Sequence, residues 1–208
     1  KKHIDNIKKQ SIYWKHNLNA QANYVNKENI NKIVKSLNLP SDIGLLSLDI
    51  DGIDYWVWKE LKVIQPVIFV CEYNSIFGDL NPISVPYDKK FNRKKFHYSN
   101  LAFGASLEAF KYISSKKGYI FIGTNSNGIN AYFIRKTFFK YIKNNIKNVT
   151  SYCSKIRESR AKNYDKNFLT GYNRLRQIEK INLVDIRKDM PIKLKNLKNI
   201  YSNTWKKK

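Results

Sequence analysis

The sequence predicts an α/β fold, and three observations support this prediction. Two short apolar runs, at residues 45–48 and 67–71, each lead into acidic residues. The segment between them, residues 54–61, has a helix-like composition, so the stretch is typical of a strand, a crossover helix and a parallel strand. Further along, Asn127 and Gly128 separate two more apolar runs, and this dipeptide favours a β-hairpin turn. We therefore expect parallel strands followed by a terminal antiparallel hairpin.

The N-terminal part of the chain has three simple patterns. Residues 3–15 carry apolar side chains at helical spacing, which predicts a short helix. Residues 18–25 alternate apolar and polar side chains, which predicts a strand. Asn26 is expected to cap an amphipathic helix that follows it. The continuous apolar runs within residues 43–50 and 67–73 predict strands that are buried on both faces.

The middle of the chain combines an irregular segment with regular ones. Residues 75–98 contain two prolines and no periodicity, so we expect a long functional loop or a solvated lid. This loop is basic and carries aromatic residues, a combination that can hold phosphate or single-stranded nucleic acid. Residues 100–116 predict a helix that ends at Gly118. The hairpin strands are expected at residues 119–123 and 131–134.

The C-terminal part of the chain is basic and weakly patterned. One helix is expected after Thr137 and another within residues 172–181. We divide the chain into an α/β domain, residues 1–142, and a basic, partly helical C-terminal extension, residues 143–208.

The composition limits the class of protein. The 208 residues are 42% hydrophobic and 14% aromatic, which is enough for a folded core. No apolar run approaches the length of about 18 residues that a membrane span requires, so no span is expected. Cys71 and Cys153 lack metal-type spacing, and we expect free thiols in a cytoplasmic protein.

The charge is strongly positive but unevenly distributed. A formal net charge of +23 is compatible with a nucleic-acid partner. The abundance of Lys together with Asn and Ile leaves base composition as a second explanation. Residues 43–74 are the exception, because they hold two basic and five acidic residues. An acidic segment that persists in so basic a chain points to a function for its carboxylates.

The acidic segment contains the best candidates for a site. Ligands of open parallel sheets bind beyond the carboxyl ends of the strands, where Asp49, Asp51, Glu72 and Asn74 follow the apolar runs. On neighbouring parallel strands, Asp49 and Glu72 would lie about 5 Å apart. They could share a divalent cation, share a proton, or hold a hydroxyl-rich ligand. For Asp54, a helix N-cap is the favoured interpretation.

Several further residues are candidates for binding a substrate. His97 could act as a base, although a loop histidine is more often simply solvated. Tyr55 could wall a pocket beside the strand ends, with core packing as the alternative for its aromatic neighbours. The residues that we expect to contact a substrate are Tyr55, Tyr73, Tyr87, His97 and Asn130.

Several motifs together resemble one family. The segments LLSLDIDGIDYWVWKEL, PVIFVCEYN, VPYD, FGASL and KGYIFIGTNSNGINAYFIR, with the later RESR, occur in this order. This combination resembles the second half of FkbM-type S-adenosylmethionine-dependent methyltransferases, and in particular a bacterial branch with a DIDGxDYW signature. The resemblance covers most of residues 10–190.

The resemblance implies a Rossmann-like methyltransferase sheet, S-adenosylmethionine as the cofactor, and methyl transfer to an oxygen of a small or glycan-like acceptor. It assigns catalytic roles to Asp49, Asp51, Glu72 and Asn74, with Asp49 and Glu72 as ligands where a divalent metal is present. The family's glycine-rich cofactor loop has no counterpart here, so we expect a sheet that is incomplete at its N-terminus. Asp5 is the candidate for the cofactor's ribose.

A second function stays open from the sequence. The chain could be a degenerate, non-catalytic methyltransferase fold that binds nucleic acid or another polyanion through its basic surface.

Overall fold

The structure is a computed structural model, which describes residues 2–206. Helices and strands alternate along most of the chain, and short 3-10 helices occur at Ser75–Phe77, Lys136–Tyr141 and Leu194–Asn196. The main elements, in chain order, are α1 (Lys2–Lys8), α2 (Ser11–Lys15), α3 (Ile30–Ser36), β1 (Leu45–Leu48), α4 (Asp54–Glu60), β2 (Ile68–Glu72), β3 (Ile83–Ser84), α5 (Arg93–Phe96), α6 (Leu107–Lys116), β4 (Tyr119–Thr124), β5 (Asn130–Arg135), β6 (Glu158–Arg160), β7 (Lys166–Phe168), α7 (Gly171–Ile178), β8 (Asn182–Asp185), β9 (Met190–Lys193) and α8 (Asn203–Lys206).

The central sheet has four strands in the order β1-β2-β5-β4. The α/β prediction is confirmed at this level, because β1 and β2 are parallel and are connected through α4. The hairpin of β4 and β5 is also confirmed, and its second strand pairs with β2 in antiparallel fashion. The sheet is therefore mixed, with two parallel strands in the described part of the chain.

Strand β1 differs from the expectation that it is buried on both faces. Leu45 is 57% exposed and only Leu48 in this strand is buried. Among residues 2–206, no strand pairs with the outer side of β1. The prediction of two-sided burial was wrong because a continuous apolar run indicates hydrophobicity but does not show whether a neighbouring strand covers the segment.

The N-terminal segment also differs from its prediction. Residues 3–15 form two short helices, α1 and α2, without any buried residue. Residues 18–25 form no strand. The apolar and polar side chains alternate there, but no strand in the described part of the chain pairs with this segment. The hydroxyl of Tyr24 donates a hydrogen bond to the carbonyl of Phe91 at 3.0 Å.

The start of α3 depends on a pair of asparagines. The side-chain oxygen of Asn26 accepts the backbone N–H of Asn29 at 3.0 Å, and that of Asn29 accepts the backbone N–H of Asn26 at 2.9 Å. Asn29, rather than the predicted Asn26, is the residue that directly precedes the helix. The two residues together close the turn from which α3 begins.

The larger core packs α4 and α6 against the sheet. Trp58 of α4 is fully buried, and its ring stacks on that of Phe69 with centroids 3.7 Å apart. The indole N–H of Trp58 donates to the hydroxyl of Ser114 in α6 at 3.0 Å. Burying two large aromatic rings with a satisfied polar atom fixes both helices on the strands.

The C-terminal residues contribute to both cores. Trp205 of α8 is buried in the larger core, while Ile178 and Leu183 help to build a smaller core around Phe77. Strand β8 pairs with β3, which comes from the segment predicted as a long loop. The boundary at residue 142 stays a prediction.

Other helix boundaries shifted for local reasons. Helix α6 begins at Leu107 rather than near residue 100, because the Ser106 hydroxyl accepts the N–H of Ala109 at 3.1 Å and caps it. The helix expected after Thr137 is a 3-10 helix, and α7 lies within the predicted region. No helix in residues 2–206 has the length and apolar character that crossing a membrane requires.

Candidate functional site

The carboxyl ends of β1 and β2 bring the predicted acidic residues together. Leu48 and Cys71 are partners in the parallel ladder. The next residue on each strand is therefore Asp49 and Glu72, which lie beside each other at the end of the pair. Their electrostatic repulsion contributes to a raised pKa of Glu72. The predicted juxtaposition follows directly from the strand register.

Glu72 is a carboxyl group that favours its protonated form. Burial, and after it repulsion from the neighbouring Asp49, raise the pKa of Glu72 to about 8, while Arg93 acts in the opposite direction. One of its oxygens, Oε2, is buried without a hydrogen-bond partner. At neutral pH, Glu72 is therefore a largely neutral side chain with one unused oxygen.

Asp49 is more exposed than Glu72. Burial is the first cause that raises the pKa of Asp49, and repulsion from Asp51 is the second. Arg93 lowers the pKa of Asp49. Asp49 thus belongs to the same electrostatic cluster as Glu72 and keeps access to solvent.

Asp54 holds the loop between β1 and α4. Its side chain is 1% exposed, and its two oxygens accept the backbone N–H groups of Ile50 at 2.8 Å and Gly52 at 2.9 Å. Asp54 is the first residue of α4, and Ile53 precedes the helix as its cap residue. The predicted N-cap is therefore wrong, because Asp54 binds the amides of the preceding loop. Burial raises the pKa of Asp54 to about 6, against these hydrogen bonds.

Arg93 is a candidate site residue that sequence analysis did not single out. Its Nη1 donates to Oδ1 of Asp51 at 2.9 Å, and its Nε donates to the carbonyl of Asn100 at 2.5 Å. The guanidinium lies 3.6 Å from the centroid of the Phe103 ring. The sequence could have indicated this residue, because Arg93 is the single arginine among the lysines of the basic loop. A planar guanidinium can make several such contacts simultaneously.

A cleft opens next to this cluster. Its volume is about 690 Å³, within the range of about 300–1,000 Å³ that is common for ligand sites. Four segments of the chain form its walls. Its lining includes Asn23, Tyr24, Val25, Ile50, Asp51, Ile53, Phe91, Asn92, Arg93, Lys94, Asn100, Ile156, Glu158, Ser159 and Arg160. Asp51 and Arg93 thus connect the acidic cluster to a space of substrate size.

Asn74 is committed to the backbone. It is 2% exposed, and its amide nitrogen donates to the carbonyls of Leu101 at 2.8 Å and Phe103 at 2.9 Å. Its side-chain oxygen accepts the N–H of Ile76 at 3.0 Å. These bonds assign Asn74 to positioning the loop that presents Phe103 to Arg93.

The predicted tyrosines lie in three different environments. Tyr55 is buried, with its ring edge-on to Trp56 and Phe110. Tyr73 is buried on the other side of β2 from Glu72, and its hydroxyl donates to the carbonyl of Tyr152. Tyr87 donates to the carboxylate of Glu28. None of these three residues lines the cleft.

The remaining candidates divide between the site and its surroundings. Asn130 of β5 is paired with Glu72 in the ladder and so lies beside the cluster. The Nδ1 atom of His97 lies 2.7 Å from the Ser99 hydroxyl, and burial lowers the pKa of His97. Asp5 is an exposed residue of α1 and does not line the cleft.

The described residues provide a limited set of metal ligands. Within residues 2–206, no group of three or more His, Cys, Asp or Glu side chains is arranged to hold a metal ion. Metal binding by Asp49 and Glu72 therefore stays a prediction that would need ligands of another kind, such as backbone carbonyls.

The comparisons with known proteins give no family. No protein-family model, no curated protein and no solved structure matches this chain. The resemblance to FkbM-type methyltransferases therefore stays an interpretation of the motifs.

Proposed function

We propose that the protein is an S-adenosylmethionine-dependent methyltransferase that modifies an oxygen of a small or sugar-like acceptor. One observation carries this proposal: a cleft of about 690 Å³ is lined by Asp51 and Arg93, and both residues act electrostatically on Glu72, a carboxyl group with a pKa of about 8 that does not itself line the cleft. Open parallel sheets bind their ligands beyond the carboxyl ends of their strands. The antiparallel hairpin next to β2 agrees with the terminal strand pair expected for this class.

The side chains of the cleft suit the cofactor in chemical terms. Tyr24 and Phe91 offer aromatic faces for adenine. Asp51 can accept ribose hydroxyls, and Arg93 can pair with the carboxylate of the methionine part. When bound, S-adenosylmethionine supplies an electrophilic methyl group. These residues would take over the cofactor-binding role that the resemblance assigns to a glycine-rich loop and to Asp5.

Glu72 would manage the proton of the acceptor hydroxyl. Around neutral pH its protonated carboxyl can orient an acceptor oxygen through the unpartnered Oε2. As the pH rises towards its pKa of about 8, the carboxylate form accumulates and can accept the hydroxyl proton. Asp49, adjacent to it, would orient the same hydroxyl. Alignment of the reacting groups is the larger contribution of the protein.

Calorimetric titration with S-adenosylhomocysteine, the unreactive product, tests the proposal. We expect binding by the wild-type protein and a loss of about tenfold in affinity for Arg93→Gln, because an interaction with a charged group is removed. The matched control is Lys95→Gln, on the same short helix but outside the cleft. Its affinity should equal that of the wild type.

Two results would contradict the methyltransferase proposal. One is the absence of binding to a protein that circular dichroism shows to be folded. The other is equal weakening by the Arg93 and Lys95 variants, which would reveal nonspecific attraction of the ligand to positive charge.

A second candidate function is binding of single-stranded nucleic acid by the basic C-terminal region. The hairpin of β6 and β7 favours it, because Tyr164 and Phe168 are 65% and 70% exposed and Lys162 and Lys166 lie in the same hairpin. Exposed aromatic rings among cations are typical of surfaces on which bases stack.

Oligonucleotide binding at several salt concentrations tests this second function. Affinity should fall steeply with salt, and Phe168→Ala should weaken binding while Phe138→Ala, outside this hairpin, should not. Binding that is absent, or that does not respond to salt, would exclude it.

A further inference from the structure

A second cavity is lined mostly by residues from the C-terminal part of the chain, and its lining differs in charge from that of the cleft. Its volume is about 540 Å³. It is enclosed by the 3-10 helix that follows β2, by residues 152–157, by the start of α7 and by α8 with the preceding residues. Ile156 lines both this cavity and the cleft. We call it the Arg174 cavity, after the buried arginine that lines it.

Arg174 is a buried arginine without a partner. It is only 8% exposed, and its Nε is buried without a hydrogen bond. Among residues 2–206, Arg174 takes part in no ion pair. The acidic residue Asp79 interacts electrostatically with Tyr201 and Cys153, which line this cavity. Its carboxylate accepts the backbone N–H of Ser202 at 2.8 Å and forms no ion pair with Arg174.

A buried and unpaired guanidinium is unfavourable by itself. Removing a charge from water costs free energy unless a partner of opposite charge replaces the solvent. Burial accordingly lowers the pKa of Arg174. An arginine retained in this state suggests that an anion from outside the chain completes the pairing.

The other charged side chains that line the cavity are also positive. Lys155, Arg157 and Lys206 line it, and no acidic residue does. The start of the eight-residue helix α7 also lines it, through Thr170, Gly171 and Tyr172. The first N–H groups of a helix lack intrahelical acceptors and attract anions, and the Thr170 side chain does not cap this helix.

Aromatic side chains form the remaining wall. Tyr172 and Tyr201 lie edge to face with ring centroids 5.7 Å apart. Tyr152 and Trp205 line the cavity as well. Such rings provide surfaces on which a nucleobase can stack. The cavity therefore combines an anion-binding end with a surface for a flat aromatic group.

We propose that the Arg174 cavity binds a phosphate ester of a nucleoside, with the phosphate paired to Arg174 and the start of α7 and the base against the tyrosines. A planar guanidinium and phosphate form charge-assisted, paired hydrogen bonds. This inference goes beyond methyl transfer and does not depend on it. Two kinds of ligand carry this group: a free mononucleotide and the phosphorylated end of a nucleic-acid strand.

Calorimetry with four probes tests the chemistry. Inorganic phosphate, adenosine, adenosine monophosphate and a terminally phosphorylated dinucleotide are titrated into the full chain. Adenosine monophosphate should bind at least about tenfold more tightly than phosphate or adenosine, because it engages both parts of the cavity. Tighter binding of the dinucleotide than of the mononucleotide identifies a strand end as the source, and the reverse identifies a free nucleotide.

Variants localise the binding to Arg174. Arg174→Met should weaken the binding of adenosine monophosphate by about 10- to 100-fold, the usual effect of losing a charge-assisted hydrogen bond. Arg176→Met is the matched control, because Arg176 is exposed on the same helix and does not line the cavity. The control should bind like the wild type.

A third variant separates the base from the phosphate. Tyr172→Ala should weaken the binding of adenosine monophosphate by about fivefold or more while leaving inorganic phosphate unaffected. Tyr172 is 53% exposed, so this variant tests the proposal even where Arg174→Met alters folding. S-adenosylhomocysteine binding should be insensitive to Arg174→Met, which keeps this test apart from that of the methyltransferase proposal.

The proposal is overturned by either of two results. Wild-type protein that binds neither phosphate nor adenosine monophosphate excludes the site. Adenosine monophosphate affinity that falls equally in the Arg174 and Arg176 variants shows attraction to general positive charge instead.

Discussion

Two arginines show how differently the cleft and the Arg174 cavity are built. Arg93, beside the cleft, pairs with Asp51, donates to a backbone carbonyl and covers the Phe103 ring. Arg174, in the second cavity, is buried without an ion pair or a hydrogen bond from Nε. The first charge is balanced by the protein, whereas the second is balanced by nothing within the described residues.

The difference shows where each region is complete. Around the cleft, Arg93 pairs with Asp51 and donates to the carbonyl of Asn100, so these loops are connected before any ligand arrives. Around Arg174, the positive charge is left for a ligand to balance. Substitutions in the two regions should therefore affect stability in different ways.

The largest effect is expected from the buried carboxylate that holds the cleft. Asp54→Ala leaves the N–H groups of Ile50 and Gly52 without their acceptors. We expect a loss of about 3 kcal/mol in the free energy of unfolding, the usual scale for buried unsatisfied donors. Urea denaturation measures it, with the exposed Asp42→Ala as the control. An effect below that of the control would mean that these amides find other partners.

Glu72→Gln tests whether this carboxyl group is neutral in the folded protein. A folded-state pKa of about 8, above the ordinary value of 4.5, means that stability is lost as the pH rises from about 4.5 to about 8. Glutamine does not ionise. The variant should match the wild type below about pH 4.5 and become increasingly more stable than the wild type as the pH rises from about 4.5 to about 8. The same pH dependence in both proteins would show that Glu72 is ionised at neutral pH.

A glycine beside the cleft gives a steric test. A Cβ at Gly52 would lie 2.2 Å and 2.4 Å from Cδ1 and Cε1 of Phe91. Gly52→Ala must therefore displace a ring that lines the cleft, at a cost of about 2 kcal/mol. Gly44→Ala is the control, because nothing lies within 4 Å of its Cβ position. Equal midpoints of thermal unfolding for the two variants would show that Phe91 moves freely.

The smallest effect compares the two arginines directly. Arg93→Met should lower the free energy of unfolding by about 1 kcal/mol, because a partly exposed ion pair and a hydrogen bond are lost. Arg174→Met without ligand should raise it by about 1 kcal/mol, because a buried unpaired charge is replaced by an apolar chain. Chemical denaturation of both variants gives the signs. A loss of stability in both would mean that Arg174 is balanced within the protein after all.

Much of the sheet could be predicted because it is coded locally. Apolar runs on either side of a helical segment produced β1, α4 and β2, and Asn127 with Gly128 produced the hairpin. The adjacency of Asp49 and Glu72 followed from the parallel arrangement. The predicted strand over residues 18–25 and the two-sided burial of β1 were wrong, because both depend on a neighbouring strand that local pattern does not report.

The site depended more on tertiary structure than on pattern. Asp54 has the composition signature of a helix start, but the folded chain directs its oxygens to the preceding loop. Asn74 was predicted to be catalytic, while its amide lies among backbone carbonyls of a distant segment. Side-chain direction and hydrogen-bond partners are decided by segments far apart in sequence, so spacing alone does not give them.

The sequence by itself determined the strand–helix–strand unit, the hairpin and the acidic strand ends, since hydrophobic periodicity and turn preference act over a few residues. The tertiary structure decided the contacts of Arg93 and the isolation of Arg174. Both arginines appear in the sequence as ordinary members of a basic chain. Only the folded arrangement shows which positive charge meets a carboxylate and which is buried alone, because the cost of a charge depends on what surrounds it.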